Sequence, residues 1–252
     1  MLPASVRFVI IAQARSGSTL LRHALNAHPQ ITCHGEILSR AWINGLIPPA
    51  AQTSDDARLH KTARPVVLGL MPQRNDDPAG FVRQHVFDTA AKPVTGFKII
   101  YEDLFDDSDY GHRIRGFLRA ENPVVIHLTR LNPLAAYASR RRMTELRISH
   151  SDVTPDGTAK APKLTLKRSE VTGFILRQAA LRARVDDLFP LAHPLSYEHL
   201  RSQFPALLDR LGADPAPFTE RLHKLGSSDL RDLIANYDDL ADLDAPRPAR
   251  DQ

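Results

Sequence analysis

Short runs of consecutive apolar residues alternate along this chain with longer stretches in which apolar residues return every three or four positions. The short runs predict buried β-strands at 6–12, 94–100, 123–129 and 192–197. The periodic stretches predict helices at 18–27, 78–91, 109–120, 133–148, 169–188, 198–211 and 228–236. Strands that alternate with helices indicate an α/β fold, in which helices cover both faces of a parallel sheet.

Two longer stretches show neither pattern. Residues 48–75 are expected to be irregular and to cover an acceptor pocket, and residues 149–167 contain proline and glycine with few apolar residues. We interpret the second stretch as a loop that serves as a lid.

A chain of 252 residues with 42% hydrophobic content can bury one substantial core. We therefore expect a single domain over 1–245 and a frayed tail over 246–252.

Cysteine content and hydropathy bear on the compartment. Cys33 is the single cysteine, so the chain has no internal disulfide and suits a reducing compartment. The apolar run at 8–12 is too short for a signal sequence or a membrane-spanning helix. We expect a cytoplasmic protein with no membrane span.

Basic residues are concentrated in one part of the chain. The whole chain has 33 Lys and Arg against 29 Asp and Glu, a net charge of +4, whereas residues 130–168 alone hold nine basic and three acidic residues. Such a segment is typical of a solvated helix face followed by a lysine-containing loop. As a set, its charges could steer a multiply charged nucleotide or an acidic acceptor. No nucleic-acid reader motif accompanies the charge, so we expect no nucleic-acid partner.

The first predicted strand leads directly into a short polar loop and a helix. Backbone N–H groups in such a turn, together with the positive end of the helix dipole, bind an oxyanion. The loop differs from a nucleoside-triphosphate P-loop, because Ala12 stands where that motif has its first glycine and Ser18 where it has lysine. The basic residue comes earlier, at Arg15. This sequence therefore disfavours a kinase or GTPase.

A second candidate element follows the strand predicted at 123–129. That strand ends at Arg130, and Asn132 and Pro133 are favourable residues for the N-cap and first position of a helix. Ser139 lies two helical turns beyond the cap and so returns to its face. His127, inside the strand, is expected to be a hydrogen-bonded core residue.

At these residues the chain resembles the sulfotransferases that use 3′-phosphoadenosine 5′-phosphosulfate (PAPS). Arg15–Thr19 match the family's Arg/Lys-Ser-Gly-Ser/Thr-Thr loop, and Arg130 followed by Ser139 resembles its 3′-phosphate site. Arg130 and Ser139 are nine residues apart, one more than the corresponding residues in the family's cytosolic members. This longer spacing resembles that of the bacterial carbohydrate, trehalose and nodulation-factor branch. His193–Leu200 resembles a later strand segment of the family, and 225–240 resembles its closing segment.

The resemblance implies a P-loop-like sulfotransferase domain that transfers a sulfuryl group from PAPS to a hydroxyl, releases 3′,5′-ADP and needs no metal. The acceptor would be a small molecule, a carbohydrate or a glycolipid, and a homodimer is compatible with it. The residues that the resemblance assigns to PAPS are Arg15, Ser16, Gly17, Ser18, Thr19, Leu20, Arg130, Ser139 and Tyr197. Tyr197 is expected against the adenine.

The same resemblance suggests catalytic roles for four residues: Arg15, Lys98, Glu36 and His34. Glu36 follows a glycine, where several carbohydrate-type members carry a catalytic carboxylate, so it is a candidate general base. A helix-capping acid is the alternative interpretation of Glu36, and His34 is the rival base. Lys98 interrupts an apolar strand, where a charge is expensive unless it is paired or functional. We expect Lys98 to bind sulfate or the acceptor.

Two other function classes stay open. One is a kinase or NTPase with a degenerate P-loop, which would bind ATP with Mg²⁺. The other is a non-catalytic relative, which would bind 3′,5′-ADP without turnover.

Overall fold

The computed structural model describes residues 5–54, 62–146, 162–219 and 229–245. Its sheet has five parallel strands in the order β2-β3-β1-β4-β5. The strands are β1 Val6–Ala12, β2 Ile31–Cys33, β3 Val94–Ile100, β4 Val124–Thr129 and β5 His193–Ser196. The predicted α/β class with a parallel sheet is confirmed, and all four predicted strands form. The three-residue β2 was not predicted, because it is too short to show a pattern.

The α-helices are α1 Ser18–Asn26, α2 Arg64–Asp76, α3 Pro78–Val82, α4 Tyr101–Leu104, α5 Asp109–Glu121, α6 Pro133–Leu146, α7 Arg168–Leu188, α8 Leu200–Arg210 and α9 Leu230–Leu233. One π-helical turn, Arg83–Phe87, continues α3. Short 3₁₀ helices form at Pro49–Ala51, Tyr197–His199 and Tyr237–Leu243. Among the described helices, none is long and apolar enough to cross a membrane.

Alternate residues of β1 enter two different cores. Val9 and Ile11 pack with residues of α5 and α7, whereas Phe8, Ile10 and Ala12 pack with residues of α1 and α8. Because successive side chains of a strand point to opposite faces, helices cover both faces of the sheet. A third core joins α6 to the start of α7 and the C-terminal segment.

Three boundaries differ from the sequence prediction. Residues 48–75 are not irregular throughout, since α2 occupies 64–76. This helix has Pro65 in its first turn and Pro72 in its interior, and it buries only Val67 and Arg74, so it shows no apolar period. The helix predicted over 78–91 ends at Phe87, and the one predicted over 228–236 is a single turn at Leu230–Leu233.

Part of the stretch predicted as a lid is a packed segment. Leu164 and Leu166 are buried in the third core, and Leu164 forms a parallel bridge with Ile234. The rest of that stretch, up to residue 161, lies outside the described residues, as do the predicted tail at 246–252 and residues 220–228.

The strand order creates a crevice at one edge of the sheet. From β1 the chain continues towards β2 and β3 on one side, whereas β4 leads to β5 on the other. Ala12, the last residue of β1, pairs with Ile100 of β3 and Leu128 of β4, so the carboxyl ends of these strands lie level. Ligands of open α/β sheets bind outside the carboxyl ends of the strands, where connections diverge in this way.

Candidate functional site

The loop between β1 and α1 turns sharply through two left-handed residues. Arg15 has a φ of 68° and Gly17 a φ of 81°. Gly17 is the N-cap of α1, and no side chain caps the helix there. The first N–H groups of an α-helix lack intrahelical partners, so the amino end of α1 presents donors and a partial positive charge.

Tyr197, which directly follows β5, packs its ring against this loop. A Cβ built on Gly17 would lie 2.2 Å from Cδ2 of Tyr197, so the ring occupies the space that a side chain would need. The guanidinium of Arg130 lies 4.7 Å from the centre of the same ring. Residues that follow β1, β4 and β5 therefore meet at one place.

Two arginines and a serine are neighbours in the crevice. Nη1 of Arg130 donates to the backbone carbonyl of Arg15 over 3.2 Å, and Nε of Arg15 donates to Oγ of Ser139 over 3.1 Å. Burial lowers the pKa of both guanidinium groups, and for Arg15 the charge of Arg130 lowers it further. Two like charges in a partly desolvated place favour an anion between or beside them.

Two polar atoms of this site are buried without a hydrogen-bond partner among the described residues. They are Oγ of Ser16 and Nε of Arg130. A buried polar group left unsatisfied costs about 1–3 kcal/mol. Each such group calls for an explanation, and a ligand that would satisfy it is one. Their position beside the glycine turn fits a loop that binds an anion.

Lys98 brings an ammonium group to the loop from β3. Its side chain is only 6% exposed, and Nζ lies 2.8 Å from Oε1 of Glu36. Nζ also donates to Oγ of Ser18 over 3.3 Å and to Oγ1 of Thr19 over 3.1 Å. These contacts use the three donors of the ammonium group and compensate its burial. A lysine therefore reaches the loop although position 18 is serine.

Glu36 lies just beyond β2, in a stretch without regular secondary structure. Its side chain is 26% exposed. Its backbone carbonyl accepts from the N–H of Ser39 over 3.3 Å and of Asn44 over 3.2 Å. A Cβ on Gly35 would lie 2.3 Å from the carbonyl oxygen of Asn44, so only glycine allows this close approach. The turn thus holds one carboxylate beside the loop of α1.

His34 is buried beneath that turn. Its Nδ1 accepts from the N–H of Ile47 over 3.0 Å, and its Nε2 is without a partner among the described residues. Burial, followed by the charge of Arg22, lowers the pKa of His34 to about 3. The imidazole is therefore neutral at physiological pH, with its proton on Nε2 because Nδ1 is an acceptor.

Glu198 is a structural residue of the site to which the sequence pattern assigned no role. Its two carboxylate oxygens accept from the N–H groups of Leu131, over 3.0 Å, and Asn132, over 3.2 Å. Asn132 caps α6 as predicted, since its Oδ1 accepts from the N–H of Ala135 over 2.8 Å. Glu198 therefore fixes the connection that follows Arg130. Its position directly after Tyr197 was its only signal in the sequence.

Of two further candidates, Leu20 is partly buried and His127 lies in the core. Leu20 packs against the apolar core of α1 and β1, so its side chain contributes packing there. His127 is hydrogen-bonded on both sides, by Tyr101 over 2.6 Å and by Asp186 over 3.0 Å. The prediction that His127 is a satisfied core residue is confirmed.

The structure therefore brings cationic side chains and the carboxylates of Glu36 and Glu198 to the carboxyl edge of the sheet. Arg15, Arg130 and Lys98 surround the glycine turn, and Glu36 is paired with Lys98. No protein-family model matches the chain, and a search of curated proteins finds no match either.

Proposed function

We propose that this protein transfers a sulfuryl group from PAPS to an acceptor hydroxyl and releases 3′,5′-ADP. The observation that supports this most is the meeting of Arg15, Arg130 and Ser139 around the Gly17 turn. PAPS bears anionic groups at two separate positions, and the site offers cationic groups at the loop, from Arg15 and Lys98, and at the end of β4, from Arg130. We also propose that the chain forms a P-loop-like sulfotransferase domain and that the protein is located in the cytoplasm.

In this proposal the loop holds the 5′-phosphosulfate and the end of β4 holds the 3′-phosphate. The backbone N–H groups at the start of α1, with Ser16, Ser18 and Thr19, suit an oxyanion. Arg130, whose Nε is without a described partner, suits a second phosphate as a charge-assisted donor. Ser139 accepts a hydrogen bond from Arg15 and so lies close to the same region. The exposed part of the Tyr197 ring suits the adenine.

Sulfuryl transfer forms a bond between the acceptor oxygen and sulfur while the bond from sulfur to the phosphate oxygen breaks. The acceptor proton must leave, and we assign Glu36 to receive it. The leaving phosphate takes the electron pair of the broken bond. Lys98 and Arg15 lie where they would stabilise that developing charge. Lys98 contacts both Glu36 and the loop, so the proposed base is one side chain away from the transferring group.

The geometry favours Glu36 over His34 as the base. The acceptor nitrogen of His34 is already bonded to the backbone of Ile47, and the ring is fully buried. The carboxylate of Glu36 is partly exposed and adjoins the loop. A base must reach the proton that it removes.

Calorimetric titration tests the nucleotide part of the proposal. We expect 3′,5′-ADP to bind and ATP or GTP, with or without Mg²⁺, to bind far more weakly. Arg130→Ala should weaken 3′,5′-ADP binding by about 2 kcal/mol or more, because a charge-assisted contact is lost. Arg201→Ala is a matched control, since that guanidinium packs on Phe218 outside the site.

The outcomes separate the candidate functions. Tight ATP binding with Mg²⁺ would favour a kinase or NTPase with a degenerate loop. An Arg130→Ala protein that folds and keeps full affinity would remove the 3′-phosphate site from the proposal. Binding of 3′,5′-ADP with no turnover of PAPS against a panel of sugars, glycolipid head groups and small alcohols would favour a non-catalytic relative.

Replacement of Glu36 tests the base. Glu36→Gln keeps the shape of the side chain, so 3′,5′-ADP affinity should be unchanged, whereas sulfuryl transfer should fall by roughly 10²-fold or more. Normal turnover by Glu36→Gln together with an inactive, folded His34→Ala protein would transfer the assignment to the histidine.

A further inference from the structure

Arg74 is a fully buried arginine on α2, far along the chain from the motifs of the site. Its side chain is 0% exposed, and it makes no ion pair among the described residues. The guanidinium instead donates to backbone carbonyls. Nη1 donates to the carbonyl oxygens of Ile37, over 3.4 Å, and Ser39, while Nη2 lies 3.5 Å from that of Arg40.

A second side chain completes this set of contacts. The hydroxyl of Tyr110 on α5 donates to the carbonyl of Leu38 over 3.0 Å. The guanidinium of Arg74 also lies 5.5 Å from the centre of the Tyr110 ring. Two side chains from two helices therefore bind four consecutive carbonyls, those of residues 37–40.

These carbonyls belong to the turn that begins at Glu36. The turn has no helix or strand to hold it, since residues 34–48 form no regular element. Its internal hydrogen bonds run from the N–H of Ser39 and Asn44 to the carbonyl of Glu36. The direction of the Glu36 side chain, and hence its 2.8 Å contact with Lys98, depends on how this turn is held.

Burial of a cation without a carboxylate partner costs free energy, because the charge loses its hydration. Replacement of buried charges by apolar residues of similar volume is often neutral or stabilising, so packing alone does not explain an arginine at this position. Arginine offers five donors in a rigid planar arrangement, which suits several carbonyls of one tight turn.

We propose that Arg74, supported by Tyr110, is a positioning residue for the carboxylate of Glu36. This inference rests on the proposed sulfuryl transfer. Arg74 touches neither the loop of α1 nor the proposed substrate, and acts through the turn at residues 36–40.

The test compares Arg74→Lys, Arg74→Ala and Tyr110→Phe with the control Lys92→Met. Lys92 likewise donates to two backbone carbonyls, of His28 over 3.1 Å and Ile31 over 3.2 Å, but at the amino end of β2. We expect kcat for transfer from PAPS to fall about 10- to 100-fold in Arg74→Lys, because small misplacements of a reacting group have effects of this size. KM for PAPS and the affinity for 3′,5′-ADP should stay unchanged. Tyr110→Phe should show a smaller fall, and Lys92→Met none.

Two readouts separate positioning from a general loss of structure. Guanidinium ion at non-denaturing concentrations should restore part of the activity of Arg74→Ala and leave Lys92→Met unaffected. Hydrogen exchange at residues 36–44 should rise in Arg74→Lys and Tyr110→Phe, with the amides of β1 still protected. This second readout needs no turnover, so it reports on the turn even if the proposed function fails.

The inference is overturned if Arg74→Lys or Tyr110→Phe loosens the turn while kcat stays at the wild-type value. It is also overturned if Lys92→Met lowers kcat as much as Arg74→Lys does. Wild-type protein that binds no 3′,5′-ADP and transfers no sulfuryl group would end the proposed function and with it the role of Arg74. Increased exchange in the variants would then still show that Arg74 holds the turn.

Discussion

Gly17 meets two requirements that no other residue type satisfies together. Its φ of 81° lies in the left-handed region, and the Tyr197 ring fills the space where a side chain would stand. A residue with a Cβ would have to displace the ring on which the guanidinium of Arg130 packs. The glycine therefore determines the shape of the turn and the position of a neighbour from β5.

We expect Gly17→Ala to lower the free energy of unfolding by about 1–3 kcal/mol, through backbone strain and the clash with Tyr197. It should also weaken 3′,5′-ADP binding. Gly69→Ala is the control, because Gly69 is an exposed residue inside α2 where an added Cβ would meet no neighbouring atom within 4 Å. That change should raise stability by about 0.5–1 kcal/mol. Urea unfolding and calorimetry measure both, and equal stability changes in the two variants would contradict the argument.

Single residues of the site were predictable where they directly follow a strand. Arg15 and Arg130 come just after apolar runs, and the carboxyl ends of parallel strands share one edge of the sheet, so their meeting follows from the sequence pattern. The pairing of Lys98 with Glu36 and the contacts of Arg74 were not predictable. They depend on how elements far apart in the chain pack together, and no local pattern records this.

Strands and helices could be predicted from the sequence where apolar residues follow one another or recur at a regular period. Strands β1, β3 and β4 are rich in apolar residues and were all identified. Strand β5 was identified as well, although Leu195 is its one buried apolar residue. Helix α2 buries one apolar residue and one arginine, so it has no stripe of apolar residues to indicate a helix. The segment at 162–167 was interpreted as loop because the stretch 149–167 contains proline and glycine and few apolar residues.

The side chain of Asn236 helps to fasten that segment to the C-terminal part of the chain. Oδ1 of Asn236 accepts from the N–H of Leu166 over 3.0 Å, and Nδ2 donates to the carbonyl of Leu166 over 2.9 Å. Backbone bonds between Leu164 and residues 233 and 235 adjoin this contact. The segment covers the core of α6, the helix that carries Ser139.

Asn236→Ala should lower the free energy of unfolding by about 1–3 kcal/mol, because both backbone groups of Leu166 lose their partner. Hydrogen exchange of the Leu166 amide should rise most. Asn236→Asp keeps the acceptor and removes the donor, so it should retain protection of that amide. Urea unfolding with exchange mass spectrometry measures both effects. Equal protection of Leu166 in the wild-type and Asn236→Ala proteins would show that the side chain does not fasten the segment.

For the whole molecule, acid stability depends in part on one buried imidazole. The pKa of His34 is lowered to about 3 by burial and then by Arg22, whereas an unfolded histidine titrates near its ordinary value of 6.5. Below pH 6.5 the unfolded state therefore binds more protons than the folded state. Stability from this group is fully present above pH 6.5 and is lost as the pH falls towards 3.

The resulting loss at pH 5 is about 2 kcal/mol, since each unit between the two pKa values corresponds to about 1.4 kcal/mol. His34→Asn should reduce this dependence, because asparagine can accept from the N–H of Ile47 and does not titrate. The measurement is the free energy of unfolding in urea at pH 7.5, 6, 5 and 4.5 for both proteins. Parallel curves between pH 7.5 and 5 would contradict the assignment.

The strand at the centre of the sheet is made by the ribosome before every strand that it pairs with. Val6 of β1 pairs with Val94 of β3, and Phe8 pairs with Val124 of β4. At a synthesis rate of about 5–20 residues per second, β1 waits roughly 4–18 s for its first long partner strand. Five consecutive residues of β1 that end up fully buried are without their sheet neighbours during this time. We therefore expect chaperones that act during translation to bind the nascent segment at 8–12, and crowded synthesis to lead to aggregation there.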